Sequence, residues 1–139
     1  MKMDIDCMRA VLLAIEKMPN LSVTGKGSAY FGDIELRELY AAIPDFSKED
    51  IAYSVILLFD GDYIDGAVQY GDDELTVCLI TRMTLAGHEL LEDLRDEKRW
   101  QKVKSIASSV RNYSLSALSS IAEGVTNAAI QQAFVPQSQ

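Results

Sequence analysis

The stretch that decides the fold runs from residue 47 to residue 99 and reads SKEDIAYSVILLFDGDYIDGAVQYGDDELTVCLITRMTLAGHELLEDLRDEKR. It opens with a serine in a helix-capping position, continues into a β-rich segment, and ends in a second helical pattern. A helix, a hairpin and a further helix in this order are typical of a winged helix-turn-helix. The sequence therefore predicts an α+β fold, mostly α-helical, with a β-hairpin wing and two extra C-terminal helices.

Helices on both sides of a short turn define the predicted helix-turn-helix. Ser47 opens the third helix of the chain, and Ile51, Val55 and Leu58 recur in it at helical spacing as a buried stripe. The second helix is predicted over about residues 34–42, with Asp33 as its cap.

The N-terminal part of the chain is predicted to contain one helix and one loop. Apolar side chains recur at helical spacing over about residues 4–18, and Pro19 ends that helix. Residues 22–33 contain three glycines around Ala29-Tyr30-Phe31, which favours a loop, or a loop with one short strand.

Three helices are predicted to follow the hairpin, beginning at about Thr84, Asp96 and Ser114. Apolar residues at intervals of three and four mark the inward face of each helix. These inward faces are Leu85, Leu91 and Leu94, then Trp100, Val103, Ala107 and Val110, and finally Leu115, Leu118, Ala122 and Val125.

The bulk properties predict one main domain with a helical extension. A chain of 139 residues has the size of a single domain. Residues 1–97 are predicted to form the winged-helix domain. Residues 98–134 are predicted to form an extension that packs on this domain or dimerises, and residues 135–139 a frayed tail.

Cysteine usage and hydropathy point to the cytoplasm. Cys7 and Cys78 lie far apart, and no second pair suggests a zinc site, so both are expected to be free thiols. Charged residues interrupt any signal-peptide core at the N-terminus, and no apolar run approaches the roughly 18 residues of a membrane span. A cytoplasmic protein without metal, cofactor or membrane contact is expected.

The net charge of −8 is concentrated in one region. Residues 35–81 hold eleven acidic and two basic side chains, whereas residues 1–34 are balanced and residues 82–139 carry a net charge of +1. A negative field repels phosphate backbones and favours basic partners. The charge therefore disfavours nucleic acid as a partner, although a separate basic cluster keeps this alternative open.

The segment TRMTLAGHELLEDLRDEKRW at residues 81–100 resembles the signature of an uncharacterised family, domain of unknown function 2513. The opening Met-Lys-Met-Asp-Ile-Asp and the segment Ile51-Ala52-Tyr53 add to the resemblance, which spans most of the chain apart from residues 22–34. The resemblance implies a small winged-helix protein encoded by bacteria, phages or prophages, without an agreed activity. Leu85 departs from it, because relatives often have tryptophan there.

His88 is the only histidine and the only candidate for general-base chemistry. Glu89 or Glu92 would be its partner, and Glu92 lies one helical turn away. No serine or cysteine nucleophile is tied to it by sequence. In the alternative that the resemblance implies, Gly87 permits close packing and His88 orders the strand-to-helix corner. The sequence favours this structural role, and a protein that is not an enzyme.

The opposite face of the third helix carries the predicted partner-binding residues. At about 100° per residue, that face holds Glu49, Tyr53, Leu57 and Asp60. A helix that reads DNA would carry Arg, Lys, Asn or Gln there. Aromatic anchors among acids suggest a protein-binding surface instead, extended by Asp72, Asp73 and Glu74 at the hairpin tip. The alternative is that the C-terminal helix covers Tyr53 and Leu57.

Basic residues cluster on the helix that follows Asp96. Lys98, Lys102 and Lys104 are predicted to share a solvated face, and phosphate contacts are the alternative role for them. The narrow apolar stripes and small residues of the last two helices predict a homodimer through residues 100–134.

Three functions follow from these patterns. The first is a non-enzymatic winged-helix interaction module, phage- or prophage-encoded, that binds protein through its acidic face. The second is a DNA-binding transcription regulator, which rests on analogy of fold and on the basic cluster. The third is an acidic mimic of nucleic acid that inhibits a host enzyme.

Overall fold

A computed structural model describes residues 1–135, so residues 136–139 of the predicted tail lie outside the described part. The elements over that range are α1 (Ile5–Lys17), β1 (Leu21–Val23), β2 (Ala29–Phe31), β3 (Ile34–Glu35), α2 (Leu36–Ala42), α3 (Lys48–Asp60), β4 (Ile64–Gly71), β5 (Glu74–Met83), α4 (Leu85–Arg95), α5 (Glu97–Val110) and α6 (Leu115–Phe134). They form an α+β fold that is mostly helical and contains two small antiparallel sheets. The chain divides into two compact units, Met1–His88 and Glu89–Gln139.

Local capping sets the starts of α1 and α3 in the first unit. The Asp4 carboxylate accepts a hydrogen bond from the Cys7 N–H at 3.1 Å, and the Ser47 hydroxyl accepts one from the Asp50 N–H at 3.1 Å. Ser47 is the cap that the sequence predicted, and each bond satisfies a backbone donor that the helix leaves unpaired. The core between these helices is fully buried and includes Met8, Val11, Leu12, Ile51, Val55 and Leu58.

The start of α2 differs from the prediction because of sheet pairing. Ile34 and Glu35 form β3, which pairs antiparallel with β5 at Ile80 and Leu79. This pairing holds both residues extended, so the helix begins at Leu36 and Asp33 is not its cap. The Glu38 carboxylate instead accepts a hydrogen bond from the Glu35 N–H at 2.7 Å.

The predicted hairpin is present as β4 and β5, joined by the two-residue turn Asp72-Asp73. Both turn residues have positive φ, 29° and 66°, a conformation that aspartate tolerates better than most residues. The register shifts twice along the ladder. At each shift a β5 threonine hydroxyl donates to a β4 carbonyl, from Thr76 to Gln69 and from Thr81 to Asp65.

A second hairpin occupies the segment that was predicted to be a loop or a loop with one strand. β1 and β2 pair antiparallel, with Leu21 opposite Phe31 and Val23 opposite Ala29. The Asn20 side-chain amide donates to the carbonyls of Gly32 and Thr81, and so ties the base of this hairpin to β5. The glycine content alone suggested a loop, because these contacts join segments that are distant in the sequence.

A glycine forms the corner between β5 and α4. The Thr84 hydroxyl accepts a hydrogen bond from the Gly87 N–H at 3.1 Å and donates to the Asp62 carbonyl at 2.7 Å. A Cβ added at Gly87 would overlap the Tyr63 carbonyl oxygen and lie 2.6 Å from Met83 Cγ. Gly87 therefore permits the close approach that the family resemblance implied.

The second unit is built around α5 and α6. The Asp96 carboxylate caps α5 through the Arg99 N–H at 2.9 Å, as predicted, and the Ser114 hydroxyl caps α6 through the Ala117 N–H at 3.1 Å. Trp100, Val103 and Ala107 on α5, and Leu118, Ala122 and Val125 on α6, are buried.

Two predicted core residues are exposed. Leu85 is 73% exposed because it occupies the first position of α4, where Gly87 and Leu90 face the interior instead. Val110 is 58% exposed because α5 ends there and Arg111 adopts a left-handed conformation, with φ of 53°. Each residue fits the apolar period of its helix but lies at the helix end, past the neighbours that would cover it.

Candidate functional site

The outward face of α3 forms a patch of two acids and two partly covered apolar residues. Glu49 and Asp60 are exposed at the two ends of the helix, while Tyr53 and Leu57 between them are half-buried. The buried side of α3 carries Ile51, Ser54, Val55 and Leu58. The four outward residues, Glu49, Tyr53, Leu57 and Asp60, are called the helix patch below.

The tip of the β4–β5 hairpin presents three carboxylates to solvent. Asp72, Asp73 and Glu74 are all exposed, and none has an ion-pair partner among the described residues. No hydrogen bond or ion pair within residues 1–135 joins this tip to the helix patch. Each group of acids is placed by its own element, the tip by the β4–β5 hairpin and the helix patch by α3.

The single lysine of α3 is directed toward α2. The Lys48 ammonium lies 5.7 Å from the centroid of the Tyr40 ring, a distance at which a cation is attracted by the ring face. Arg37, the other basic residue of the acidic region, is ion-paired with Glu35. Both basic residues of the acidic region are therefore engaged with a neighbouring side chain, and the region keeps its negative charge.

The three lysines of α5 do not share one face. Lys98 and Lys102 are exposed and, together with Arg99, line a groove of about 200 Å³ against α6. Lys104 is half-buried, with its ammonium 5.8 Å from the Trp100 ring centroid. The predicted common face therefore reduces to Lys98 and Lys102, and Arg99, a basic residue of the same sequence cluster, lines the groove beside them.

His88 lies at the edge of a second groove, formed within the first unit. This groove, about 470 Å³ in volume, is called the hairpin groove. Its apolar lining is Ile15, Met18, Leu21, Phe31, Met83 and Leu85. The His88 side chain is exposed, and its imidazole has no hydrogen-bond partner among the described residues.

Neither thiol has the surroundings of a reactive cysteine. Cys7 and Cys78 are free, and burial raises the pKa of both thiols above the ordinary value of 9.0. A raised pKa lowers the thiolate fraction near neutral pH, and the thiolate is the reactive form. Groups of three or more potential metal ligands are absent over residues 1–135, as are helices long and apolar enough to cross a membrane.

The outward face of α6 changes character along its length, a feature that the sequence analysis missed. Ser116 and Glu123 occupy that face in the first half of the helix, and Ile130 and Phe134 occupy it in the second half. Ile130 is 48% and Phe134 82% exposed. A sequence signal was available, because residues 124–135 contain no charged side chain.

These observations define a mostly helical α+β protein with two small antiparallel sheets and exposed acidic and apolar surfaces. The chain belongs to the DUF2513 family, whose members are described as hypothetical proteins, and the family model matches residues 2–113. The match includes residues 22–34, which the resemblance had left out, and ends before α6 begins. No curated protein and no solved structure matches the chain.

Proposed function

We propose that the chain is a non-enzymatic winged-helix interaction module that binds a protein partner through its acidic surfaces. Support for the winged helix comes from the element order of the first unit. β3 lies between α1 and α2, and it pairs with β5 on the side of that strand away from β4. In this interpretation α3 is the recognition helix and the β4–β5 hairpin is the wing.

The observation that carries the proposal is the exposure of carboxylates on both elements that would face a partner. Three exposed acids form the hairpin tip, and two more flank the partly accessible Tyr53 and Leu57 of the helix patch. Duplex DNA would need several Lys or Arg contacts to phosphate at this surface. A partner with a basic surface would complement the negative charge of these carboxylates, and an apolar side chain on that partner can pack against Tyr53.

Neutralising the hairpin tip tests the proposal. Aspartate at the two positive-φ positions is best replaced by asparagine, which keeps the turn while removing the charge. The variant Asp72→Asn, Asp73→Asn, Glu74→Gln should weaken a protein partner captured from host lysate, most strongly at low salt. A matched control removes three exposed carboxylates elsewhere, in Asp33→Asn, Glu89→Gln, Glu123→Gln. Equal capture by both variants would contradict the proposal.

A transcription regulator is the second candidate, favoured by Lys98 and Lys102, which have no carboxylate within 4.0 Å in the described chain. Fluorescence anisotropy with labelled random duplex DNA at low salt separates the two functions. Saturable binding that weakens steeply with salt would favour the regulator. No binding at high micromolar protein leaves the protein-directed module, or an acidic mimic that competes with DNA for a basic protein.

A homodimer through residues 100–134 is part of the same proposal. Its support is the exposure of Ile130 and Phe134 in the second half of α6, since large apolar side chains that remain uncovered favour association.

A further inference from the structure

We propose that the second half of α6 docks, through Ile130 and Phe134, into the hairpin groove of a second copy of this chain. The inference rests on the proposed homodimer, keeps α6 as one side of its interface, and places the other side in the first unit instead of residues 100–134. It joins two apolar surfaces of the described chain that are otherwise uncovered: a convex helix end and a concave groove.

The helix end has the features of an inserted segment. Ile130 and Phe134 are one helical turn apart and lie on the face of α6 opposite Ala128, Ala129 and Gln132, which line the groove against α5. On that same outward face the first half of α6 carries Ser116 and Glu123, as a solvated helix does. The change to apolar anchors at positions i and i+4 is the pattern of a helix that binds in a groove.

The hairpin groove has the features of the receiving surface. The paired residues Leu21 and Phe31 lie on one face of the β1–β2 hairpin, and they are 57% and 45% exposed. Leu85, 73% exposed, lies across the groove at the start of α4. All lining residues belong to the first unit, and the volume of about 470 Å³ lies in the range of sites that enclose a few apolar groups.

The charges at the groove edge suit an uncharged occupant. Two lining residues of the groove are charged, Glu16 and Arg82. Arg82 is ion-paired with Asp65 at 2.6 Å, so its charge is already compensated, and Glu16 is not without a partner either. A charged segment entering beside this pair would lose its hydration without gaining a free partner. Residues 124–135 carry no charge and avoid that cost. A basic partner segment of the kind proposed for the acidic surfaces would incur the cost here.

The area requirement favours a second copy with reciprocal contacts. Residues 127–134 extend for only about 12 Å along the helix, and one such contact falls short of the roughly 1,200 Å² that a stable interface buries. Two equivalent contacts about a two-fold axis double the area. They also cover both grooves and both helix ends, so association stops at the dimer.

Two variants test the inference, one with an altered groove and one with an altered helix. Sedimentation equilibrium of the full-length chain at tens of micromolar measures the dimer Kd of each. Leu85→Glu alters the groove and Phe134→Glu alters the helix; both positions are exposed, so the monomer should fold. Each variant alone should raise the dimer Kd at least about tenfold. Ser116→Glu, which adds the same charge on the same face at the other end of α6, is the matched control and should leave Kd unchanged.

Mixing the two defective variants gives the decisive result. The Leu85→Glu chain has an intact helix and the Phe134→Glu chain an intact groove, so a heterodimer keeps one of the two contacts. Its Kd should be lower than the Kd of either variant alone and higher than that of the wild-type dimer. A monomeric wild-type chain, or a dimer that Leu85→Glu leaves intact, would overturn the inference.

The remaining outcomes are equally distinct. Loss of the dimer in Phe134→Glu alone, with Leu85→Glu dimerising like wild type, would indicate α6–α6 pairing and would overturn docking into the groove while leaving the homodimer in place. The hairpin-tip amide variant should dimerise like wild type. Failure of the acidic-surface proposal is therefore measured separately from failure of this one.

Discussion

Replacing Gly87 with alanine should destabilise the protein, although the same change stabilises most helices. The added Cβ would overlap the Tyr63 carbonyl oxygen, and it would lie 2.6 Å from Met83 Cγ and 3.1 Å from the Tyr63 carbonyl carbon. That carbonyl belongs to the backbone just before β4, and it accepts the Thr84 N–H at 3.0 Å. The clash cannot be relieved by rotating a side chain, so the first turn of α4 must move away.

The expected magnitude follows from three contributions. Alanine gains about 1 kcal/mol over glycine inside a helix. Forcing a methyl group into a packed site costs about 1–3 kcal/mol, and the weakened hydrogen bond between Thr84 and Tyr63 costs about 1 kcal/mol more. The net effect of Gly87→Ala is therefore a loss of about 2 kcal/mol.

Urea unfolding followed by circular dichroism at 222 nm measures this loss. Gly124→Ala is the matched control, because a Cβ added there meets no atom within 4 Å, and it should stabilise by about 0.5–1 kcal/mol. Trp100 fluorescence follows the unit from Glu89 onward and shows whether the two units unfold together. A Gly87→Ala chain as stable as wild type, or more stable, would refute the close approach at this corner.

Two further predictions concern the caps and the thiols. Ser47→Ala should lower the free energy of unfolding by about 1 kcal/mol, since the Asp50 N–H loses its acceptor; Ser47→Asp should retain most of it, and equal loss in both would argue against capping. Iodoacetamide should label the half-buried Cys78 before the fully buried Cys7, as peptide mass spectrometry can show. Because burial raises the pKa of the Cys78 thiol above 9.0, labelling should be slow near neutral pH and accelerate with rising pH; faster labelling of Cys7 would contradict this.

Features that depend on neighbours in sequence could be predicted, because their physical cause is local. Asp4, Ser47 and Asp96 cap helices by accepting from an N–H three residues ahead, and this geometry needs no tertiary contact. The tip Asp72-Asp73 follows in the same way from the backbone preferences of its residues.

Features that depend on distant segments could not be predicted in this way. Asp33 looked like a helix cap until the pairing of β3 with β5 extended the next two residues. The β1–β2 hairpin is tied to β5 by the Asn20 amide, which donates to the carbonyl of Thr81 far along the chain. The apolar period placed Val110 in the core, but only the end of α5 shows that nothing covers it.

The candidate surfaces also differ in whether the sequence alone could locate them. The acids of the hairpin tip are exposed because a two-residue turn has no room to bury them, so the sequence alone located that surface. Lys104 was grouped with Lys98 by proximity in sequence, and the tertiary structure separates them by placing Lys104 against Trp100. The hairpin groove joins α1, β1, β2, β5 and α4, segments far apart in sequence, so only the folded chain could show it. By itself the sequence determined the helices, their local caps and the charge of each region, while long-range pairing and packing decided which side chains meet and which stay uncovered.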